Sequence, residues 1–257
     1  MVLTGAGISA GSGIPTYRDI NGIWQRNQPV QHQDFVNSPA ARRRYWQRSF
    51  AGWPLMSVAE PTDSHFALAC LESSGLVPLL VTQNVDRLHQ RAGHRNVIDL
   101  HGRVDEIICL SCHALLSRNT MQDRLKSMNP SLELKGIAAP DGDAEVELVE
   151  GFQVPDCDHC NGILMPNVVF FGGSVNRARV DEIKAAILAA DALMVVGSSL
   201  QVFSGYRFCR YAFDHNIPIM SVNPGKTRAD DLFSVRVPAP SDEVLPFLAQ
   251  KLTAQGF

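Results

Sequence analysis

A glycine-rich segment near the start of the chain constrains the fold more than any other feature. Residues 5–19 read GAGISAGSGIPTYRD and follow a short apolar run. Gly5, Gly7 and Ala10 satisfy the G-x-G-x-x-G/A pattern, in which a strand leads into a helix and missing side chains let backbone N–H groups approach a pyrophosphate. Pro15 stands where a plain helix would continue, so the helix must be short and a loop must follow. The pattern alone is weak, because small residues also occupy ordinary strand-to-helix turns.

The composition limits the classes of partner. The chain has 257 residues, of which 45% are hydrophobic, and a formal net charge of −3. It lacks the basic excess typical of nucleic-acid binding, an apolar run of about 20 residues that would span a bilayer, and an apolar signal segment at its start. We therefore expect a soluble monomer without nucleic-acid or membrane partners, in the cytoplasm of a bacterium or the mitochondrial matrix of a eukaryote.

Apolar runs typical of strands alternate with helical patterns along most of the chain. The patterns predict strands at residues 1–4, 76–81, 163–171, 192–196 and 217–222, and helices at 40–53, 62–71, 121–128, 179–190 and 205–215. This order predicts an α/β fold, a doubly wound parallel sheet with its ligand along one edge. The segment 131–158, rich in acidic residues, glycine and proline, is predicted to be a solvated or partly disordered loop.

Polar residues follow two of the apolar segments, at the edge where such a sheet binds its ligand. Gln83, Asn84 and Asp86 come after the strand predicted at 76–81, and His101 with Gly102 follows a brief apolar segment. A solvated loop is the alternative for the first group, and a structural hydrogen bond is the alternative for His101. Because Gly102 permits close approach of a ligand and imidazole titrates near neutral pH, we favour His101 as a general base.

Two C-x-x-C pairs form the strongest metal signal. Cys109 with Cys112 and Cys157 with Cys160 supply four thiolates for one tetrahedral Zn²⁺, which leaves no coordination position for water or substrate. We therefore predict a structural zinc. Redox disulfides are the alternative, and His159 is a competing ligand. The remaining cysteines lie in apolar patterns and are predicted to be buried thiols; they are Cys70 and Cys209.

Tyr45 and Arg48 are one turn apart in the helix predicted at 40–53, so their side chains can converge. The alternative is an amphipathic helix whose preceding arginines are solvated while its aromatic residues pack inward.

Together these motifs resemble those of the sirtuin family. In chain order they are GAGISAGSGIPTYRD at 5–19, TQNVD at 82–86, LHG at 100–102, the paired cysteines, PNVVFFG at 166–172, GSSLQV at 197–202 and VNPG at 222–225. The flanking sequences are most similar to class II, the branch that includes mitochondrial sirtuin four. The resemblance implies a Rossmann-like NAD-binding domain at 1–108 and 166–257, with a small helical insertion around 20–60, and a zinc-binding module at 109–165.

Sirtuins are NAD-dependent protein lysine deacylases that release nicotinamide and 2′-O-acyl-ADP-ribose. By resemblance, His101 is the base, while Asn84 and Asp86 orient the nicotinamide ribose and carboxamide. The resemblance assigns NAD contacts to residues of the glycine-rich segment and of the strand ends: Gly5, Ala6, Gly7, Ser9, Ala10, Pro15, Thr16, Tyr17, Arg18, Gln83, Asn84, Val85, Asp86, Gly197, Ser198, Ser199, Asn223, Pro224, Gly225 and Ser241.

The acylated lysine of a protein substrate is expected to enter as an added strand between residues 168–172 and 201–204. The residues expected to contact it are Val169, Phe170, Gly172 and Val202. Tyr45 and Arg48 resemble the pair that holds acidic acyl groups in desuccinylating sirtuins, and an arginine can bind a carboxylate bidentately. The same NAD site would suit a protein mono-ADP-ribosyltransferase or a non-catalytic NAD sensor, although a sensor could dispense with His101.

Overall fold

The structure is a computed structural model that describes residues 1–254 apart from 26–28, 133–135 and 140. Its strands are β1 (Val2–Thr4), β2 (Leu80–Thr82), β3 (Val97–Asp99), β4 (Gly102–Cys109), β5 (Leu115–Ser117), β6 (Ile137–Ala138), β7 (Ala144–Glu145), β8 (Leu164–Val168), β9 (Leu193–Val196), β10 (Ile219–Val222) and β11 (Val235–Val237). Its α-helices are α1 (His32–Asn37), α2 (Pro39–Val58), α3 (Asp63–Ser73), α4 (Leu88–Arg91), α5 (Arg118–Met128), α6 (Arg177–Leu188), α7 (Phe203–Asp214) and α8 (Ser241–Ala254). Short 3₁₀ helices occupy Ala6–Ser12 and Asp230–Leu232.

The main sheet is parallel and has the strand order β11-β10-β9-β1-β2-β3. Adjacent side chains of β1 point to opposite faces, as strand geometry requires. Val2 packs with residues of α3 and α8, whereas Leu3 packs with residues of α6 and α7. Helices therefore cover both faces, which confirms the predicted doubly wound fold. The order reverses between β1 and β9, and the ligand crevice of such a sheet lies at that point.

A smaller antiparallel sheet has the order β5-β4-β8 and packs with α2 and α5. β4 starts at Gly102, next to His101, and ends at Cys109, so one strand connects the main crevice to the cysteine cluster. Pairing in this sheet extends to Val168, beyond the boundaries 109–165 that we predicted for the zinc module. The division into those two domains stays a prediction.

The helix predicted to end at Trp53 continues through Pro54 to Val58. A proline inside a helix removes the hydrogen bond to the carbonyl four residues earlier. That carbonyl belongs to Phe50, and it accepts a 2.9 Å bond from Gln122 Nε2 on α5. Tertiary structure therefore compensates for the proline, and a local sequence pattern does not contain that information.

Three other local predictions are wrong. The strand placed at 76–81 is β2 at Leu80–Thr82. The segment 131–158 is not simply a solvated loop, because it forms the β6–β7 hairpin and buries Asp143, Ala144 and Phe152. Cys70 is exposed on the outer side of α3, whereas Cys209 is buried as predicted.

Candidate active site

A cavity of about 940 Å³ lies at the carboxyl edge of the main sheet. The predicted site residues that line it are Gly5, Ala6, Gly7, Ser9, Ala10, Thr16, Tyr17, Arg18, Tyr45, Gln83, Asn84, Val85, Asp86, His101, Val169, Phe170, Gly172, Gly197, Ser198, Ser199, Val202, Asn223, Pro224, Gly225 and Ser241. Two predicted site residues, Pro15 and Arg48, are not among the described residues that line the cavity. Pro15 lies between lining residues without lining the cavity itself, and Arg48 does not line the cavity but pairs with the lining residue Asp143.

The glycines at the start of the site fit closely against the turn after β9. A Cβ on Gly7 would lie 2.8 Å from the carbonyl oxygen of Gly197, and a Cβ on Gly5 would lie 2.7 Å from Cβ of Ser198. The N–H of Gly7 donates to Gly197 O at 2.8 Å, and the N–H of Gly5 donates to Val196 O at 3.1 Å. These glycines are therefore required by packing between two loops, in addition to any role in approaching a ligand.

Asp86 anchors a buried hydrogen-bond network at the floor of the cavity. Its carboxylate accepts bonds from Ser9 Oγ at 2.7 Å and from the N–H of Leu88 at 3.0 Å. Asn84 Nδ2 donates to Ser9 Oγ at 3.0 Å and to Gly5 O at 3.2 Å. Burial raises the pKa of Asp86, and the bonds from Leu88, Ser9 and Asn84 oppose the rise. The network fixes the loop after β1 relative to the end of β2.

His101 has a defined orientation in the cavity wall. Its Nδ1 lies 2.8 Å from Gln83 O, and a carbonyl oxygen can only accept, so Nδ1 carries the proton. Nε2 therefore has a free electron pair, which accepts a hydrogen bond from Ser204 Oγ at 2.7 Å. Burial lowers the pKa of His101, the bond to Gln83 raises it, and the nearby Arg207 and Arg179 charges lower it further. The imidazole is thus held neutral, with Nε2 ready to accept a proton.

Three aromatic side chains, Tyr17, Trp24 and Phe171, also line the cavity. Tyr17 stacks on Trp24 with ring centroids 5.4 Å apart, and Phe171 meets both rings edge-on. The Arg18 guanidinium lies 5.0 Å from the Trp24 ring centroid and donates to Gly22 O at 2.8 Å. The loop after the glycine-rich segment is therefore closed on itself and covers one side of the cavity.

The helix α2 contributes Tyr45 at one end of the cavity. Tyr45 is buried against Phe35 and Phe170, so the aromatic residues of this helix pack inward, as our alternative interpretation stated. Arg48 does not line the cavity, and its guanidinium is already paired. Its Nε lies 2.8 Å from Oδ2 of Asp143, a residue of the segment predicted to be solvated.

The four predicted cysteines converge on one point. Their sulfur atoms lie within 4.8 Å of one another, with 3.5 Å between Cys109 and Cys160 and 3.7 Å between Cys112 and Cys157. Tetrahedral Zn²⁺ with bonds of about 2.3 Å places its sulfur ligands about 3.8 Å apart, so the donor set fits zinc. The residues after the two pairs, His113 and Asn161, have φ values of 60° and 55°, which turns both C-x-x-C segments toward the same centre.

Several site residues escaped the sequence analysis. Trp24, Phe171 and Ser204 line the cavity, as do Asp141 and Asp143. Phe171 and Ser204 lie in segments expected to flank the substrate, but neither was assigned a role of its own. Trp24 and Phe171 could have been suspected as aromatic residues beside the glycine-rich segment and a predicted strand end. The serine and the aspartates come from segments that only the tertiary fold brings to His101 and Tyr45.

Comparison with known proteins finds relatives that match almost the whole chain. The NAD-dependent protein deacetylase 2 of Bradyrhizobium diazoefficiens is 51% identical over 250 residues, which are 96% of this chain and 92% of that protein. The NAD-dependent protein deacylase Sirt4 of Drosophila melanogaster is 47% identical over 254 residues, which are 96% of this chain and 81% of that protein.

Solved structures and a family profile agree with these relatives. A complex of a Sir2 homologue variant with ADP-ribose has a TM-score of 0.80 at 29% identity, and the match covers 99% of this chain and 92% of that one. A Sir2 variant with a deacetylated p53 peptide and 3′-O-acetyl-ADP-ribose has a TM-score of 0.78 at 30% identity, with the same coverage. The profile described as the Sir2 family matches residues 5–204. The chain therefore belongs to the Sir2 family, the sirtuins.

Proposed function

We propose that this protein is an NAD-dependent protein lysine deacylase, which releases nicotinamide and 2′-O-acyl-ADP-ribose. The observation that carries the proposal is the position of His101. A neutral imidazole with a defined tautomer lies in the same cavity as the glycine-rich loop. A base that can take a proton near neutral pH is what distinguishes a catalyst from a protein that only binds NAD.

The cavity suits NAD in size and chemistry. Its volume of about 940 Å³ is at the upper end of the range for small-molecule sites. The loop after β1 and the turns after β9 and β10 would hold the phosphates and the adenosine, because they line one side of the cavity with glycine, serine and asparagine. Asn84 and Asp86 would orient the nicotinamide ribose and carboxamide. NAD supplies the ADP-ribosyl group that receives the acyl chain and the nicotinamide that leaves.

The residues around His101 explain how it would act as a base. Nε2 would take a proton from a ribose hydroxyl, and the positive charge formed on the ring would be stabilised by Gln83 O through the Nδ1 proton. Gln83 is itself held, because its Nε2 donates to Thr4 O at 3.1 Å and to Ser198 Oγ at 2.8 Å. Tyr17, Trp24 and Phe171 would exclude water from the opposite side.

The acylated lysine of a protein substrate would enter between residues 168–172 and 201–204. Both segments line the cavity, and Val202 and Phe203 expose apolar surface beside it. An extended peptide there would bind chiefly through its backbone, with the acyl-lysine directed toward His101 and Tyr45. Zn²⁺ would be bound by the four cysteines at the far end of β4 and would support the fold of that region, since four thiolates complete its coordination shell.

We also propose that the protein acts as a monomer on protein lysines, without nucleic-acid or membrane partners, in the bacterial cytoplasm or, in a eukaryote, the mitochondrial matrix. Bacterial relatives support the bacterial location, and the net charge of −3 supports the lack of a nucleic-acid partner. None of the helices in the described part of the chain combines the length and apolarity needed to cross a bilayer.

Incubation with NAD and acetyl-, succinyl-, glutaryl- and lipoyl-lysine peptides, followed by mass spectrometry, tests the function. We expect acyl-ADP-ribose and deacylated peptide in equal amounts. We expect neither product from the His101→Ala variant, which should still bind NAD. ADP-ribose on the protein substrate without acyl-ADP-ribose would indicate a transferase instead. Binding of NAD without either product would indicate a sensor.

A further inference from the structure

Arg48, the arginine expected at the acyl site, already has an acidic partner within the chain. Arg48 would bind an acidic acyl group if its guanidinium were available. It is instead paired with Asp143, and the two side chains are only 12% and 5% exposed. A carboxylate of the chain itself therefore already lies against the Nε side of the guanidinium that an acyl carboxylate would need.

The backbone around Asp143 fits closely against α2. A Cβ on Gly52, one turn after Arg48, would lie 2.3 to 2.7 Å from three backbone atoms of Asp143, so α2 and this segment are in direct contact. Asp143 O also accepts a bond from the N–H of Ala139 at 2.9 Å, which closes the turn. The position of the carboxylate is thus set by the packing of main chain on main chain.

Asp143 also faces the cavity. It lines the cavity together with Asp141 and Tyr45, and its Oδ1 is buried without a hydrogen-bond partner among the described residues. Burial and the neighbouring Asp141 raise the pKa of Asp143, whereas the Arg48 guanidinium 2.8 Å away opposes that rise and favours the ionised carboxylate. Burial raises the pKa of Tyr45, and the Asp141 and Asp143 charges raise it further. Asp141 and Asp143 line the cavity, whereas Arg48 does not.

The two acidic side chains at the cavity affect which acyl chains can reach Arg48. An acyl group that ends in a carboxylate must approach two acidic side chains and compete with Asp143 for Arg48. Like charges in a partly buried site repel, and a buried carboxylate that loses its partner is costly. An acyl group with an apolar end meets neither obstacle and packs against Tyr45 and Phe170.

We propose that Asp143 is a specificity-determining residue that occupies Arg48 and so makes the enzyme prefer neutral acyl chains to acidic ones. The proposal rests on the deacylase function above and deepens it. It replaces the expectation, drawn from the resemblance, that Tyr45 and Arg48 hold an acidic acyl group.

The variant Asp143→Asn tests the proposal, because the amide keeps the shape of the side chain and removes its charge. Butyryl- and succinyl-lysine peptides form the matched pair, since both acyl chains have four carbons and only succinyl ends in a carboxylate. The kcat/KM of each is measured by mass spectrometry, with an acetyl peptide as the reference. In the wild type we expect butyryl to be preferred. In the variant the succinyl-to-butyryl ratio should rise about tenfold, the gain expected from one charge-assisted hydrogen bond to Arg48.

Two further variants keep the test decisive. Asp141→Asn removes the second charge at a less buried position and should shift the ratio in the same direction, so it replaces Asp143→Asn if that variant fails to fold. Asp181→Asn, on the exposed surface of α6, is the control and should leave the ratio unchanged. An unchanged ratio in a folded Asp143→Asn or Asp141→Asn enzyme that retains acetyl activity would overturn the proposal. Absence of acyl-ADP-ribose from every peptide in the wild type would instead refute the deacylase function.

Discussion

Acidification should destabilise this protein through a buried histidine beneath the glycine-rich loop. His65, His89 and His94 are almost completely buried, with ring centroids of neighbouring members 4.6 and 5.2 Å apart. His65 Nδ1 accepts a bond from the N–H of Thr62 at 3.1 Å, so that nitrogen has no proton in the folded state. Protonation would place a hydrogen there, opposite the Thr62 N–H, and would break the cap of α3.

The expected loss follows from the pKa of His65. Burial lowers this pKa from 6.5 to about 4; the Asp242 charge opposes the change, and His94 adds to it. Between those values the unfolded chain binds a proton that the folded chain excludes, so stability decreases as the pH falls through this window and is constant above it. Going from about pH 7.5 to about pH 5.5 should therefore remove about 1 kcal/mol through His65 alone.

The loss is measured by urea unfolding, followed by circular dichroism, of the wild type and His65→Gln. The free energy of unfolding of each protein is compared at the two pH values. Glutamine cannot titrate but can still accept the bond from the N-cap N–H, as in a capping box. The variant should lose about 1 kcal/mol less than the wild type on acidification. The same substitution at exposed His215 controls for the loss of a histidine as such. Equal losses in the wild type and His65→Gln would refute the reasoning.

Three further predictions concern the site. Ser204→Ala should move the acidic limb of the pH profile of kcat/KM to lower pH. The reason is that the hydroxyl, by accepting a hydrogen bond from charged His101, stabilises the charged ring more than the neutral one. Ser204→Thr should restore the wild-type profile. Cys112→Ser should reduce bound zinc, measured by atomic emission, and lower the melting temperature. Gly7→Ala should cost about 1–3 kcal/mol in urea unfolding, because its Cβ would lie 2.8 Å from Gly197 O.

Local sequence rules predicted the sheet and the positions of several candidate residues at its carboxyl edge. Four cysteines in two C-x-x-C pairs have one simple spatial solution, and the structure brings their sulfur atoms together. Alternating strands and helices predict the parallel sheet, and its carboxyl edge holds Asn84, Asp86 and His101. The family inferred from these motifs is confirmed by the relatives and the family profile.

The parts that depend on contacts distant in sequence could not be predicted. Ser204 lies 103 positions from His101, and their hydrogen bond exists only because α7 begins beside the end of β3. The pairing of Arg48 with Asp143 joins α2 to a segment whose composition is typical of a solvated loop. The glycine pattern located a loop that lines the cavity, but it did not show that Gly5 and Gly7 also pack against the turn after β9.

The central claim is that the glycine-rich loop holds NAD so that its nicotinamide ribose lies at His101. A crystal structure of the protein with NAD and an acyl-lysine peptide tests this claim most directly. We predict a ribose hydroxyl about 3 Å from Nε2 of His101, in the place now taken by Ser204 Oγ, with the acyl chain beside Tyr45. A ribose bound elsewhere in the cavity, with Nε2 still paired to Ser204, would contradict the account.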